Sequence, residues 1–526
     1  MATINEKLAE SLKLLKNEQD RGLHVFQSGD FSRVHRDRLV AAGFIKEIIK
    51  GWYIVSSPAE KVGESTAWYA SFFEFVTAYC NERFGDDWYL SPEASLQIYA
   101  GNTAIPRQLM IHTKTGSNNN LALKFETGFF DYRSKDFAIK SDITVKNGVR
   151  LLSLPASLVR ASPTFFEINP IDAQIALSQI SDASEILSKI LEGGNSVIAG
   201  RIAGAMRAIG RPAESDRIVK TMRDAGYIVT ENNPFRVEPI AFSSLVRAES
   251  PCATRIRLMW ESMRDKVIRA FPEPTGLPED AELYIADVDD RHVEDAYHSL
   301  SIEGYRVSDA LIAKIASGQW NPEGNSEDKN DRNALAAKGY HQSFLEVRNS
   351  VLHILEQKEP GEVVRHDHHD WYRKLFEPSV MSGIIEAKHL AGYRSWPVFI
   401  RQARHVPPSY ESVRDAMPVF FDLISKEPNP AVRAVLGHFI FVYIHPYGDG
   451  NGRMARFMMN SMLASGGYPW TVIRVEDRDS YMASLEQAST NGNIEPFANF
   501  ISASVQKQMD KVGNWNKPKL RQKPTG

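Results

Sequence analysis

The chain has 526 residues, a length that fits about three or four domains with substantial cores. Hydrophobic residues make up 43% and charged residues 24%, so the chain is not disordered throughout. Its 62 Lys and Arg side chains against 65 Asp and Glu give a formal net charge of −3, which excludes a protein that coats nucleic acid with a uniformly basic surface.

Cysteine usage and apolar runs bear on where the protein works. Cys80 and Cys252 are far apart in sequence and form neither a disulfide framework nor a thiolate metal motif, which favours a reducing compartment. The N-terminus lacks the apolar core of a signal peptide, and residues 435–444, the longest apolar run, have about half of the ~20 residues that a membrane span needs. We therefore expect a cytoplasmic protein that does not enter a membrane.

Residues 1–60 have the pattern of two or three short helices followed by a β-hairpin, the order typical of a winged helix. Three leucines share one face of the first helix, and a second helix is expected at 31–42. Residues 44–56 alternate in polarity about a glycine and predict the hairpin. This stretch resembles the N-terminal winged-helix domains of abortive-infection antitoxins.

The second helix and the hairpin carry a group of cations that could face DNA phosphates. These are Arg33, Arg36, Arg38, Lys46 and Lys50. The alternative is a solvated face whose charge is balanced by neighbouring acids. Because such a patch carries no information on contacts to base edges, DNA as a partner is left open.

Patterning divides the rest of the chain into further segments. Residues 61–168 mix one long helix with strand-like runs and predict an α+β domain, and residues 169–235 return to a helical period. Stretches rich in Pro and Gly mark the next boundary, after which residues 236–510 are strongly helical. Residues 511–526 are basic and rich in Pro, and we expect them to form a flexible tail.

One motif contains residue types that are suited to catalysis. It lies at residues 445–456 and has the sequence HPYGDGNGRMAR. An apolar helix precedes it and ends at the His-Pro pair, because helical geometry is disfavoured for the residue before a proline. A second helix follows, so that the glycine-rich loop and the N-terminus of this helix form a site for an anion. Asp449 is a carboxylate suited to Mg²⁺ beside phosphates, His445 can take up a proton near neutral pH, and two arginines share the first turns of the helix. These are the parts needed to transfer a phosphate-containing group.

The motif resembles the signature of the Fic family, HPFx[DE]GNGRxxR, with Tyr447 in place of the family's Phe. The resemblance implies a protein adenylyltransferase, which transfers AMP from ATP to a Ser, Thr or Tyr hydroxyl of a protein, its own chain included, and releases pyrophosphate. Residues 390–408 look like the Fic flap, an extended β-hairpin. The fold class implied for the whole chain is multidomain, with a mainly α-helical Fic-type domain over 236–510 preceded by winged-helix-like and α+β domains.

The resemblance also assigns roles to the residues of the motif. His445 would be the general base on the target hydroxyl, and Asp449 would position Mg²⁺ on the phosphates. The nucleotide-binding residues would be Gly450, Asn451, Gly452, Arg453 and Arg456. A tight turn between two helices would explain the glycines, but not the histidine, the aspartate, the asparagine and both arginines together.

A second short motif lies upstream, in the sequence SLSIEG at 299–304. It is similar to the family's inhibitory motif, [ST]xxxE[GN], and we expect it on a helix near 290–304 with Ser299 and Glu303 on one face. In related proteins the glutamate pairs with the second arginine of the signature, here Arg456, and so competes with the γ-phosphate for that guanidinium. An ordinary amphipathic helix is the alternative.

The role of Glu303 stays open: it either restrains the transfer of AMP or orients a water that removes AMP from a modified target. A different class of function also stays open. In that class the chain is a DNA-binding regulator, similar to a toxin–antitoxin fusion, and its helical half senses ATP. The sequence does not identify the target protein, and it leaves a homodimer open.

Overall fold

The computed structural model describes residues 3–60, 63–237, 239, 249–320 and 331–512. The chain forms two compact units. The first comprises Met1–Arg255 and Phe399–Val406, and the second comprises Ile256–Val398 and Pro407–Gly526. The finer division into domains remains a prediction, and almost all of the tail predicted at 511–526 lies outside the described residues.

The first unit begins with two helices and a small antiparallel sheet. Their bounds are α1 Ile4–Asp20, β1 Val25–Gln27, α2 Arg33–Ala41, β2 Ile45–Ile49 and β3 Trp52–Val55. The strand order is β1-β3-β2, so β2 and β3 form a hairpin whose turn includes Gly51 at φ +85°. Leu15, Leu39 and Ile45 pack in one core. The predicted helices and hairpin are confirmed, whereas the likeness to antitoxin domains remains a prediction.

The cations predicted as a DNA-facing group are not equally available. Arg36 and Arg38 each donate hydrogen bonds to a main-chain oxygen, and the Lys46 amine lies 3.3 Å from a glutamate carboxylate. The Arg33 side chain is 87% exposed, and Lys50 is exposed as well. The group that faces solvent is therefore smaller than the sequence indicates.

The rest of the first unit combines further sheets with helices. The strands and the helices between them are α3 Thr66–Phe84, β4 Trp88–Leu90, α4 Pro92–Tyr99, β5 Leu109–Thr113, β6 Asn120–Ala122, β7 Gly128–Arg133, β8 Ile143–Lys146 and β9 Val149–Leu152. One sheet has the order β4-β5-β7-β6, in which β5 is parallel to β7, and β8 pairs with β9 as a hairpin. Trp68, Phe72 and Phe75 of α3 are fully buried in the core beside them.

Helices complete this unit between residues 154 and 224. They are α5 Leu154–Arg160, α6 Pro163–Ile168, α7 Pro170–Ser178, α8 Ala183–Gly193, α9 Ser196–Ala208 and α10 Pro212–Asp224. They share one apolar core that includes Phe166, Leu177, Ile186, Ile202 and Met206. The predicted change from an α+β pattern to a helical period is confirmed.

Residues 251–512 are mainly helical in their described part. The helices are α11 Pro251–Ala270, α12 Ala281–Ile302, α13 Asp309–Ala316, α14 Arg332–Leu355, α15 Pro360–Met381, α16 Tyr410–Lys426, α17 Pro430–Ile444, α18 Asn451–Ala464, α19 Arg478–Asn491 and α20 Glu495–Val512. Nearly every residue of α17 and α18 is buried, so the loop that joins them is held from both sides by the core. Across the described ranges, no helix has both the length and the hydropathy to cross a membrane.

The predicted β-hairpin flap at 390–408 does not form. This segment contains no paired strands of its own, and its part at Phe399–Val406 belongs to the first unit. There, His405 forms an antiparallel bridge with Ala104, and the Ile105 amide donates a hydrogen bond of 2.9 Å to the carbonyl of the residue before His405. The hairpin prediction is wrong because these main-chain groups pair with residues 104–105 and not across a hairpin.

Candidate active site

His445 stands where α17 ends and the glycine-rich loop begins. Its amide still donates to the carbonyl of Phe441, as in a helix, but its backbone has turned to φ 53° and ψ 60°. The next residue, Pro446, cannot continue the helix. A non-glycine residue in this left-handed region is strained, and such strain clusters at functional sites. The turn ends α17 and places His445 directly before the loop.

The imidazole of His445 is prepared to accept a proton. Its Nδ1 lies 3.2 Å from the carbonyl oxygen of Val442, which can only accept, so Nδ1 carries the hydrogen and Nε2 has the free lone pair. Its pKa is lowered to about 4, mainly by burial and in smaller part by the Arg394 charge, against the opposing effects of the Val442 carbonyl, Glu303 and Asp449. The ring is therefore neutral at physiological pH.

The loop from 446 to 450 is fixed by side chains beneath it. The Asn451 side chain bonds the Tyr447 main chain twice, accepting from its amide at 2.9 Å and donating to its carbonyl at 2.8 Å. Tyr447 is fully buried, and its ring stacks on Tyr372 with centroids 3.7 Å apart. Asn451 thus shapes the loop, and its direct contact with phosphate remains a prediction.

The hydroxyl of Tyr447 is the feature that the family's Phe lacks. It lies 2.9 Å from Nδ1 of His369 on α15. The ring itself packs beneath the loop, and the hydroxyl adds one bond that ties the loop to α15.

Asp449 and Arg453 form the charged end of the site. The Asp449 side chain is 58% exposed, and its Oδ1 accepts a hydrogen bond from the Gly450 amide at 2.6 Å. Arg453 is only 1% exposed, yet its Nε and Nη2 have no hydrogen-bond partner within the part of the chain that the structure describes. Nη2 lies 3.6 Å from Asp449. A buried guanidinium with unsatisfied donors requires an acceptor, and a phosphate fits that requirement.

A cavity of about 190 Å³ adjoins this charged end. It is lined by Asp449, Arg453, Arg332 and Ser379, and by aromatic and aliphatic side chains. The latter include Tyr305, Leu375, Phe376, Ile384 and Ile385. The guanidinium carbon of Arg453 lies 5.2 Å from the Tyr305 ring centre and 5.1 Å from that of Phe376. A cavity lined by both charged and apolar side chains suits a ligand that has both phosphates and a base.

Arg456 is held by the upstream motif. Its Nη2 donates to Oε1 of Glu303 at 2.8 Å and to the carbonyl of Ser299 at 3.0 Å, and its Nε donates to the Ser299 hydroxyl at 2.9 Å. Burial alone lowers the pKa of Arg456, but the Glu303 charge and hydrogen bond raise it above its usual value. The predicted pairing of Glu303 with Arg456 is confirmed, as is the helix, since α12 ends at residue 302 and Gly304 follows at φ +90°.

The Glu303 carboxylate also lies over the first turn of α18. A Cβ built on Gly452 would collide with Oε1 of Glu303 and would meet Nη1 of Arg456 at 3.2 Å. The carboxylate therefore occupies the place where the N-terminus of α18 attracts an anion.

Metal ligands are sparse around the loop. In the described ranges, no group of three or more His, Cys, Asp or Glu side chains converges in a way that could hold an ion. Asp449 is the exposed carboxylate of the loop. A single carboxylate is the donor set expected for Mg²⁺ that takes its other ligands from phosphates and water.

Comparison with known proteins decides the family of this segment. Residues 367–463 match the sequence profile of the Fic/DOC family. This segment is a Fic domain. It contains the loop and both arginines, whereas Ser299 and Glu303 precede it.

The relatives of the Fic domain include proteins named Protein adenylyltransferase Fic. The one from Nematostella vectensis is 27% identical over 260 residues, 49% of this chain and 57% of the relative. The one from Culex quinquefasciatus is 26% identical over 225 residues, 42% of this chain and 41% of the relative. The chain thus spans about half the length of the curated relatives that it matches. The solved structure of Fic-1 from C. elegans aligns over 65% of this chain and 86% of its own, with 17% identity and a TM-score of 0.37.

The sequence did not indicate every residue that builds the Fic site. Tyr305 directly follows the inhibitory motif and Phe376 lies on α15, and neither has a local signal that connects it to Arg453. Arg394 is a third case. It lies in the stretch that resembles the flap, where its burial could not be read from its neighbours.

Proposed function

We propose that the chain is a protein adenylyltransferase that transfers AMP from MgATP to a hydroxyl of a protein. The main support for this proposal is that Nε and Nη2 of the buried Arg453 have no hydrogen-bond partner in the described part of the chain. Eight residues earlier, His445 presents a neutral imidazole whose Nε2 can accept a proton. The guanidinium can bind a phosphate, and the imidazole can accept a proton. Both lie on the Fic loop and its helix, and the relatives' name states the same reaction.

The reaction proceeds in a few steps, each of which uses residues of this chain. Nε2 of His445 accepts the proton of the target hydroxyl, and the hydroxyl oxygen attacks the α-phosphorus of ATP. The bond between that phosphorus and the oxygen bridging to the β-phosphate breaks, and pyrophosphate leaves with the electron pair. Arg453 and the amides at the start of α18 stabilise the negative charge on the phosphates.

Mg²⁺ fits the site as a companion of ATP. Asp449 would hold it, because that carboxylate faces solvent and lines the cavity. When bound, the ion neutralises charge on the phosphates. Within the described ranges, no group of three or more metal-binding side chains surrounds this carboxylate, so the ion would take its other ligands from the nucleotide and water.

The same geometry supports restraint by Glu303. Its carboxylate satisfies Arg456 and covers Gly452, so a γ-phosphate that needs Arg456 must displace it. A carboxylate and a phosphate bind a guanidinium in the same way, and only one of them fits. Removal of AMP with the help of Glu303 is the alternative, and a modified target that loses AMP only when Glu303 is present would favour it.

Intact-mass measurement after incubation with each nucleoside triphosphate tests the proposal. We expect an adenylate increment on the Glu303→Gly variant with ATP, a smaller one on the wild type and none on His445→Ala. An increment that persists without His445 would contradict its role as the base. Modification by a different nucleotide would contradict the assignment of ATP.

A further inference from the structure

Arg394 is a buried cation that does not line the cavity and yet bonds the main chain of the residue that carries the base. It is 1% exposed. Its Nε donates to the carbonyl of His445 at 2.8 Å, and its Nη2 reaches the carbonyl of Ile444 at 3.5 Å. Its own amide donates to the carbonyl of Pro446 at 2.9 Å. Three consecutive peptide groups around the imidazole are therefore fixed by one residue.

The left-handed turn at His445 explains why such a residue is needed. In that conformation the carbonyls of Ile444 and His445 leave the helical pattern of α17 and need other donors. A buried carbonyl without a donor is costly, and Arg394 supplies the donors. A cation is also suited to this place, because the C-terminal end of a helix carries partial negative charge.

The remaining donors of Arg394 reach the two ends of the segment that resembles the flap. Nη1 donates to the carbonyl of Trp396 at 3.2 Å, and Nη2 donates to that of Pro408 at 2.5 Å. The Trp396 ring in turn lies against Gly448, where a Cβ would be only 2.6 Å from it. The same guanidinium thus fixes the histidine main chain and both ends of the segment 397–407.

We infer that Arg394 is a positioning residue for the general base, and that it sets the His445 main chain and the ends of segment 397–407 in one fixed arrangement. This inference rests on the proposed function. Arg394 does not line the cavity assigned to the nucleotide, so its removal should misplace the imidazole without weakening ATP binding. A displacement of about 1 Å can lower a rate by roughly a hundredfold.

The test measures initial rates of self-modification with α-labelled ATP in the Glu303→Gly background, and ATP affinity by calorimetry on the same samples. For Arg394→Gln we expect a rate at least about tenfold lower per ATP-binding site, with a dissociation constant for ATP within about threefold of the parent. Arg394→Lys keeps the charge but not the fork of guanidinium donors, and its rate should lie between those of Arg394→Gln and the parent.

Arg433→Gln is the matched control. Arg433 is also a buried arginine, but it bonds the carbonyl of Glu427 and the hydroxyl of Ser465 near the start of α17, away from the loop. It should change neither the rate per ATP-binding site nor the ATP affinity.

The outcomes separate this inference from the proposed function. If the Glu303→Gly parent transfers no AMP, the proposed function fails. If the parent is active and Arg394→Gln keeps its rate within about twofold, the inference is overturned. It is also overturned if Arg433→Gln loses as much rate, or if both Arg394 variants lose stoichiometric ATP binding, since either result makes Arg394 a folding residue.

Discussion

Replacement of Glu303 by glycine should raise the rate of AMP transfer. In the structure, Nη2 of Arg456 bonds the Glu303 carboxylate at 2.8 Å, while both bonds to Ser299 would survive the change. A hydrogen bond between charged groups contributes about 1.5–3 kcal/mol. Each 1.4 kcal/mol is a factor of about ten, so the release of Arg456 corresponds to a rise of roughly 10–100-fold at subsaturating ATP.

The assay for this change is the initial rate of self-modification with α-labelled ATP. Glu303→Gln keeps the shape of the side chain and one hydrogen bond but removes the charge, and should give an intermediate rate. Glu294→Gln is the control, because Glu294 lies on the same helix and pairs with Arg474 at 2.6 Å in a partly exposed ion pair that should contribute little. A folded, ATP-binding Glu303→Gly protein whose rate equals that of the wild type would refute the competition between carboxylate and phosphate.

The other predictions concern Asp449, acid stability and DNA. Asp449→Ala should abolish the dependence of ATP affinity on Mg²⁺, measured by calorimetry with and without the ion, and an unchanged dependence would exclude Asp449 as its ligand. Burial lowers the pKa of His438 to about 3, so the unfolded chain binds a proton that the folded chain excludes. The free energy of unfolding therefore falls as the pH drops below about 6.5, by about 1.4 kcal/mol per pH unit for this group. His438→Gln keeps an acceptor for the Tyr481 hydroxyl and should reduce that slope in urea unfolding, whereas an equal slope would contradict the burial argument. Arg33→Ala with Lys50→Ala should weaken any gel shift, because these side chains face solvent, and a shift that persists unchanged would remove this face from consideration.

The chemistry of the site was predictable because its residues are close in sequence. His445, Asp449 and both arginines of α18 lie within twelve consecutive positions, and their order fixes a helix, a turn and a second helix. Glu303 was also predictable, since it has a short motif of its own and a fixed partner in Arg456. The structure added the reason why this pairing restrains the site, which is that the carboxylate covers Gly452.

The parts that the sequence did not predict depend on contacts between distant residues. The burial of Arg394 becomes clear only when the turn at His445 brings main-chain carbonyls to it. The hairpin failed for the same reason, because His405 pairs with Ala104, some 300 positions earlier in the chain. Local patterns describe which elements form, but they do not identify a pairing partner at such a separation.

Transfer of label from ATP to protein is the decisive measurement for the proposed reaction. The Glu303→Gly protein is incubated with ATP labelled at the α-phosphate or at the γ-phosphate, in parallel with the same protein carrying His445→Ala. We expect label to enter the protein from the α-position alone and only when His445 is present. Label from the γ-position, or α-label that persists without the imidazole, would show that AMP transfer through His445 is wrong.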